Sequence, residues 1–256
     1  MRGRKRAVRG GEWARELLTA LEGPPKHISQ WLPHHARLLK QDMYSQVGLL
    51  TLGGRCCYLK LYSPKSFLQQ CIYELGQGRP SRAFDNASRL VAAGVPVPRP
   101  LACVNLDSGV MLLTEGLEDG VDMQTLWLSG PGAATLAALH SAADALSKLH
   151  LAGYAHGDAK WSNLLWANDR MLLIDLDGAR RCRIGGRRQA RDLARFTLNA
   201  EERGVGSQLY KHFLDRYLGA VGGDREQVIR RMQPSLLKLR ARHLARYGEG
   251  EHNLLA

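Results

Sequence analysis

The chain has 256 residues, 45% of them apolar, which is enough to build a sizeable core and excludes a disordered chain. Its formal charge of +12 points to acidic partners, while five cysteines, odd in number and without a CxxC pair, argue against a disulfide framework or a zinc site. No run reaches the about eighteen uninterrupted apolar residues of a membrane span, and MRGRKRAVRGGEW has the charged start of a secretory signal without its apolar stretch, so a cytoplasmic location is expected.

Residues 1–35 read as a basic N-terminal segment carrying Arg2, Arg4, Lys5, Arg6 and Arg9. Short apolar runs around Gly53 and Gly54 then predict strands near 36–42, 46–52 and 56–62. SRAFDNASRLVAAG reads as a helix stopped by Gly94, and the prolines of VPVPRP force an extended run. Strands near 100–105 and 109–115 close a first lobe over 36–116, mainly antiparallel sheet with one helix. From 117 to 247 the character changes. Leu136, Leu139, Leu146 and Leu149, spaced by threes and sevens, give one apolar face to a long helix that ends at Gly153. RMLLIDLDGARR follows as a short buried strand ending in acids. Three helical segments run from 187, the last kinked or interrupted by Pro234, and 248–256 reads as a short mobile tail.

Between the long helix and that strand lies YAHGDAKWSNLLW, with Asp158 two residues after His156 and Asn163 five residues after Asp158. Alone, it could be a turn in which an aspartate caps its own backbone. Lys60 could likewise be a lysine on a strand edge, Asn163 a turn residue, and Asp175 and Asp177 strand-end caps. What sets them apart is their order along the chain: strand lysine, long helix, HGD, Asn163, then a strand ending in Asp175.

That order resembles the protein-kinase-like phosphotransferases, and so implies an α+β, two-lobed kinase-like fold. Within that superfamily the sequence is similar to the lipopolysaccharide core kinases, the group of Kdo kinase and the heptose kinases. The segments that carry the likeness are LGGRCCYLKLY, LVAAGVPVPRPLA, LSKLHLAGYAHGDAKWSNLLW, LLIDLDGARR and RQARDLARF. The family lacks a clear GxGxxG loop, and KQDMYSQVGLL contains a single glycine, Gly48. The resemblance implies ATP and Mg2+ as cofactors. It makes Asp158 and Lys160 catalytic, Lys60, Ser45 and Glu115 nucleotide-binding, and Asn163 and Asp175 the metal ligands. His156 and Asp192 become supports of the catalytic loop. Chemically the set is coherent: phosphoryl transfer needs positioning and charge neutralisation, magnesium prefers oxygen ligands, and a carboxylate near the acceptor orients its hydroxyl.

The implied partner is the lipopolysaccharide core oligosaccharide on lipid A, with peripheral contact to the anionic inner-membrane surface. The basic N-terminus and seven arginines between Arg180 and Arg195 suit it; the charge alone would also admit RNA, but nucleic acid is not the expected partner. A local pairing of Asp192 with Arg188 or Arg195 is the plain alternative to its supporting role.

One departure from the pattern stands out. The strand lysine of kinase-like proteins pairs with a helix glutamate, whose place here falls on Ala83. Asp85 is two positions on, about 200° around a helix, and Glu74 lies in a stretch that reads as irregular. Either another carboxylate supports Lys60 or activity is weak or absent; intact Asp158, Asn163 and Asp175 favour activity. The competing functions are a small-molecule or protein kinase of the same fold, including the aminoglycoside type, and a catalytically silent basic binding module.

Overall fold

A computed structural model of the chain describes residues 6–21, 28–130, 132–248 and 253–255. Arg2, Arg4 and Lys5 of the basic N-terminus lie outside them. The described residues form two compact units, one within 1–91 and 98–119, the other within 92–97 and 120–256.

The first unit is built on an antiparallel sheet. Its strands are β1 (Arg6–Arg9), β2 (Arg37–Asp42), β3 (Ser45–Leu52), β4 (Arg55–Tyr62), β5 (Pro100–Leu106) and β6 (Gly109–Glu115), in the order β1-β5-β6-β4-β3-β2. Helices α1 (Gly11–Ala20) and α2 (Ile28–His35) precede β2, and α3 (Phe67–Glu74) and α4 (Arg79–Ala92) follow β4. Side chains alternate across the sheet. Cys57, Leu59 and Leu61 of β4 therefore join Leu101, Val104, Met111 and Leu113 on one face, where Ala14, Leu17, Trp31 and Leu32 cover them. On the other face Tyr62, Cys103, Val110 and Leu112 pack with Tyr73 and Ala83.

The strands anticipated at 36–62 and 100–115 are all present. The N-terminal segment, however, is more than a basic tail. Its described residues supply an edge strand, in which Ala7 pairs with Val104, and two helices whose apolar faces complete the core. The stretch holding Glu74 is helical, capped by Ser66, whose side chain accepts from the Gln69 N–H.

The second unit contains β7 (Val121–Asp122), α5 (Met123–Leu128), α6 (Ala133–Leu151), β8 (Tyr154–Ala155), β9 (Leu164–Ala167), β10 (Arg170–Leu173), β11 (Arg180–Arg181), α7 (Arg187–Glu202), α8 (Ser207–Val221) and α9 (Arg225–Tyr247). β9 and β10 form a hairpin whose turn, Asn168-Asp169, has positive φ at both residues, the conformation that suits the twist of paired strands. Helix α9 runs unbroken through Pro234. Of the C-terminal tail, Asn253 accepts from Arg240 and Leu254 N–H donates to Glu201, so this end is docked against α7 and α9. Among the described residues no helix is long and apolar enough to cross a membrane.

Leu17 is fully buried in the sheet core, so Leu17→Ala should cost about 2–5 kcal/mol, read as a lowered urea midpoint. An unchanged midpoint would mean that α1 does not belong to this core.

Candidate active site

The HGD loop begins where α6 ends and is held from beneath by α7. Asp192, almost fully buried, accepts hydrogen bonds from the backbone N–H groups of His156 at 2.6 Å and Gly157 at 2.9 Å. His150 Nε2 lies 3.4 Å from the same carboxylate, and its Nδ1 lies 2.7 Å from the Tyr217 hydroxyl. Burial, and the negative charge of Asp192, push the Tyr217 phenol up, so it stays protonated. The tyrosine hydroxyl and the Asp192 carboxylate thus hold the two ring nitrogens of His150 from opposite sides. One turn earlier on α7, Gln189 Nε2 donates to the carbonyls of His150 and Tyr154.

His156 points away from solvent and ties the loop to the next motif. Its Nε2 donates to the Ile174 carbonyl at 2.9 Å, and its Nδ1 faces the Asp158 N–H at 3.3 Å. The Ile174 N–H donates to the Asn163 carbonyl at 3.0 Å, so the residue before Asp175 is held at both ends. Asp175 itself is left-handed, at φ 58° and ψ 57°, a conformation more accessible to Asp and Asn than to most side chains. Asp177 is buried in the following turn. Gly157 and Gly178 let the two backbones touch: a Cβ on Gly157, at φ 84°, would lie 2.6 Å from the Gly178 carbonyl oxygen.

The carboxylate of Asp158 is set among donors. Asn163 Nδ2 donates to its Oδ2 at 3.1 Å and to its carbonyl at 2.9 Å; Lys160 Nζ lies 3.3 Å from Oδ2; Arg195 Nε lies 3.3 Å from Oδ1. Both hydrogen bonds of the Asn163 side chain run through Nδ2, so its Oδ1 is turned away from Asp158. That oxygen and the Asp175 carboxylate are hard donors that fit a magnesium ion. Among the described residues no cluster of three or more His, Cys, Asp and Glu could hold a metal, so these two side chains alone do not make a closed metal cage.

The remaining predicted residues lie in the first unit. Lys60 stands on β4, opposite Val47 and Leu112, with its ammonium 4.9 Å from the Tyr62 ring centre. By strand alternation it shares the Tyr62 face, and on that face α4 presents the buried Ala83. Asp85 is committed elsewhere, accepting from Arg9 Nε at 2.6 Å and Nη2 at 3.1 Å. Ser45 closes the β2–β3 turn, its hydroxyl donating to Asp42 at 2.8 Å. Glu115, exposed at the end of β6, donates its N–H to the Arg99 carbonyl.

A family model described as lipopolysaccharide kinase (Kdo/WaaP) family matches residues 37–217. The chain belongs to that family. Two solved structures share its kinase-like fold. "WaaP in complex with acyl carrier protein" has a TM-score of 0.63 at 18% identity, over 95% of this chain and 99% of the other. An aminoglycoside phosphotransferase from Streptomyces rimosus has a TM-score of 0.53 at 17% identity, over 86% and 97%. No curated protein matches the sequence significantly.

For this Kdo/WaaP family chain, sequence reading left out Arg195 as a partner of Asp158, along with Gln189 and Asn199, whose Oδ1 accepts from the Trp161 N–H at 2.9 Å. A signal was present: Gln189, Asp192, Arg195 and Asn199 recur every three to four residues, one face of a helix.

Asparagine has one acceptor oxygen where aspartate has two, so Asp192→Asn should orphan one of the two loop N–H groups and cost about 1–3 kcal/mol. Thermal unfolding would reveal it; an unchanged melting temperature would count against the brace. Gly157→Ala, strained and in collision with the Gly178 carbonyl, should reduce activity more than stability if the collision is relieved by displacing Asp158.

Proposed function

We propose that this protein transfers the γ-phosphoryl group of ATP to a sugar hydroxyl, of Kdo or heptose, in the lipopolysaccharide inner core. The observation that carries the reading is the Asp158 cluster, joined through Ile174 to Asp175, in a chain of the lipopolysaccharide kinase family. Asp158 orients the acceptor hydroxyl and takes its proton as the new O–P bond forms and ADP departs. Lys160, beside Asp158, offsets charge on the phosphoryl oxygens. Lys60 holds the inner phosphates, and Ser45 and Glu115 are assigned to the nucleotide. Asn163 and Asp175 would hold magnesium, which would supply charge neutralisation for the phosphates. Gln189, Asp192 and Asn199 keep the loop backbone fixed while this happens.

The acceptor is acidic and membrane-anchored, and this agrees with the +12 charge and with a place at the cytoplasmic face of the inner membrane. Recombinant protein supplied with ATP, magnesium and core lipopolysaccharide that is unphosphorylated at the acceptor hydroxyl should incorporate labelled phosphate. Asp158→Asn should lower the rate by about 10²–10⁴-fold, and Asp175→Asn should abolish transfer at ordinary magnesium concentrations. Transfer that survives Asp158→Asn at the wild-type rate would remove Asp158 from its role. Salt-sensitive binding to anionic vesicles with no ATP turnover would instead select a silent binding module.

A further inference from the structure

The two oxygens of Asp158 are unequally occupied. Oδ2 meets both Asn163 Nδ2 and Lys160 Nζ, whereas Oδ1 meets Arg195 Nε among the described residues. A carboxylate oxygen accepts about two hydrogen bonds, so the accepting capacity that remains to Asp158 lies on Oδ1. An acceptor hydroxyl bound there sits beside the Arg195 guanidinium. That group is 29% exposed, open enough to meet a ligand and fixed enough to orient one. It projects from α7, the helix that also carries the loop contacts of Asp192 and Asn199, so its distance from the loop is fixed by the same scaffold. Arg191 and Arg188, both exposed, stand one and two turns before it on the same helix and extend the positive surface along α7.

We propose that Arg195 is a specificity-determining residue of the acceptor site, taking an anionic substituent, carboxylate or phosphate, that flanks the hydroxyl to be phosphorylated. A guanidinium is the side chain best shaped for either group, because it offers paired donors in a plane. Its ion pair with Asp158 is the resting arrangement; the acceptor anion takes up the donors that Asp158 does not use. The inference rests on phosphoryl transfer at Asp158 to a core sugar, as proposed above.

The test measures kcat/KM for three acceptors, all prepared from cells lacking this kinase so that the target hydroxyl is free: core oligosaccharide, the same core with its carboxylates reduced to alcohols, and the same core with its remaining phosphates removed. Wild type should prefer the intact core over one of the two altered cores by about tenfold or more, and which one identifies the anion. Arg195→Gln should shrink that preference to within about twofold through the acceptor KM, leaving the KM for ATP in place, and Arg195→Lys should restore part of it. A purely structural Arg195 would lower kcat for all three acceptors alike and leave the preference intact, which would overturn the proposal. If Arg195→Gln fails to fold, the ratio in Arg195→Lys decides: a preference equal to wild type overturns the assignment, and a reduced one supports it. Equal use of the three acceptors by wild type overturns the Arg195 assignment while the core-kinase reading stands. Use of none of them overturns the core-kinase reading, and this assignment falls with it.

Discussion

The grip of the Asp192 carboxylate on two successive backbone N–H groups is the constraint from which the site follows. It fixes the peptide planes at His156 and Gly157, and so fixes where Asp158 leaves the loop. A buried carboxylate is costly unless its oxygens are satisfied, and here backbone N–H groups and the His150 ring do so. Through His150 and Tyr217 the same charge is tied to α6 and α8. The HGD loop is therefore registered against a helical scaffold rather than held by its own turn.

Helix α7 works along its length. Gln189 fixes the end of α6 and the approach to the loop, Asp192 its first residues, Arg195 the Asp158 side chain and Asn199 the Trp161 backbone. Phe196 packs on Trp161 from the same side, with ring centres 5.5 Å apart. Polar and apolar contacts thus alternate on one face. The position of Asp158 is then set by contacts with several independent residues, which is how rigid elements give a functional group precision that a free loop lacks.

Much of this was readable from the residues. Period-two and period-three-to-four patterns located the central strands and the helices α6 to α9, and ordered spacing from Lys60 to Asp175 gave the kinase-like fold. The N-terminal elements were missed because charge dominates their composition: Trp13, Leu17, Trp31 and Leu32 are scattered among arginines and prolines, and their shared burial appears only once the sheet is present to receive them. Arg195 was left out as a partner of Asp158 for a related reason. Local spacing offers Asp192 as its neighbour, whereas tertiary folding brings Asp158 to it. At Ala83 the reading of a missing helix carboxylate meets a structure in which that methyl is packed in the core and Asp85 serves Arg9. Ala83 is thus part of the core of the first unit, and the carboxylate two positions on is committed to Arg9.

The dependence of the HGD loop on α7 also bears on the order of events during synthesis. Residues 154–163 are synthesised before Asp192 and Asn199, and before the Tyr217 that meets His150. A nascent chain can therefore hold every motif residue from Lys60 to Asp175 and still lack the geometry that makes them a site. The contacts that organise the loop span 35 to 38 residues in sequence, so assembly waits on closing those distances rather than on any local turn. The geometry of the loop is therefore a late property of the growing polypeptide, set only once α7 and α8 have been added.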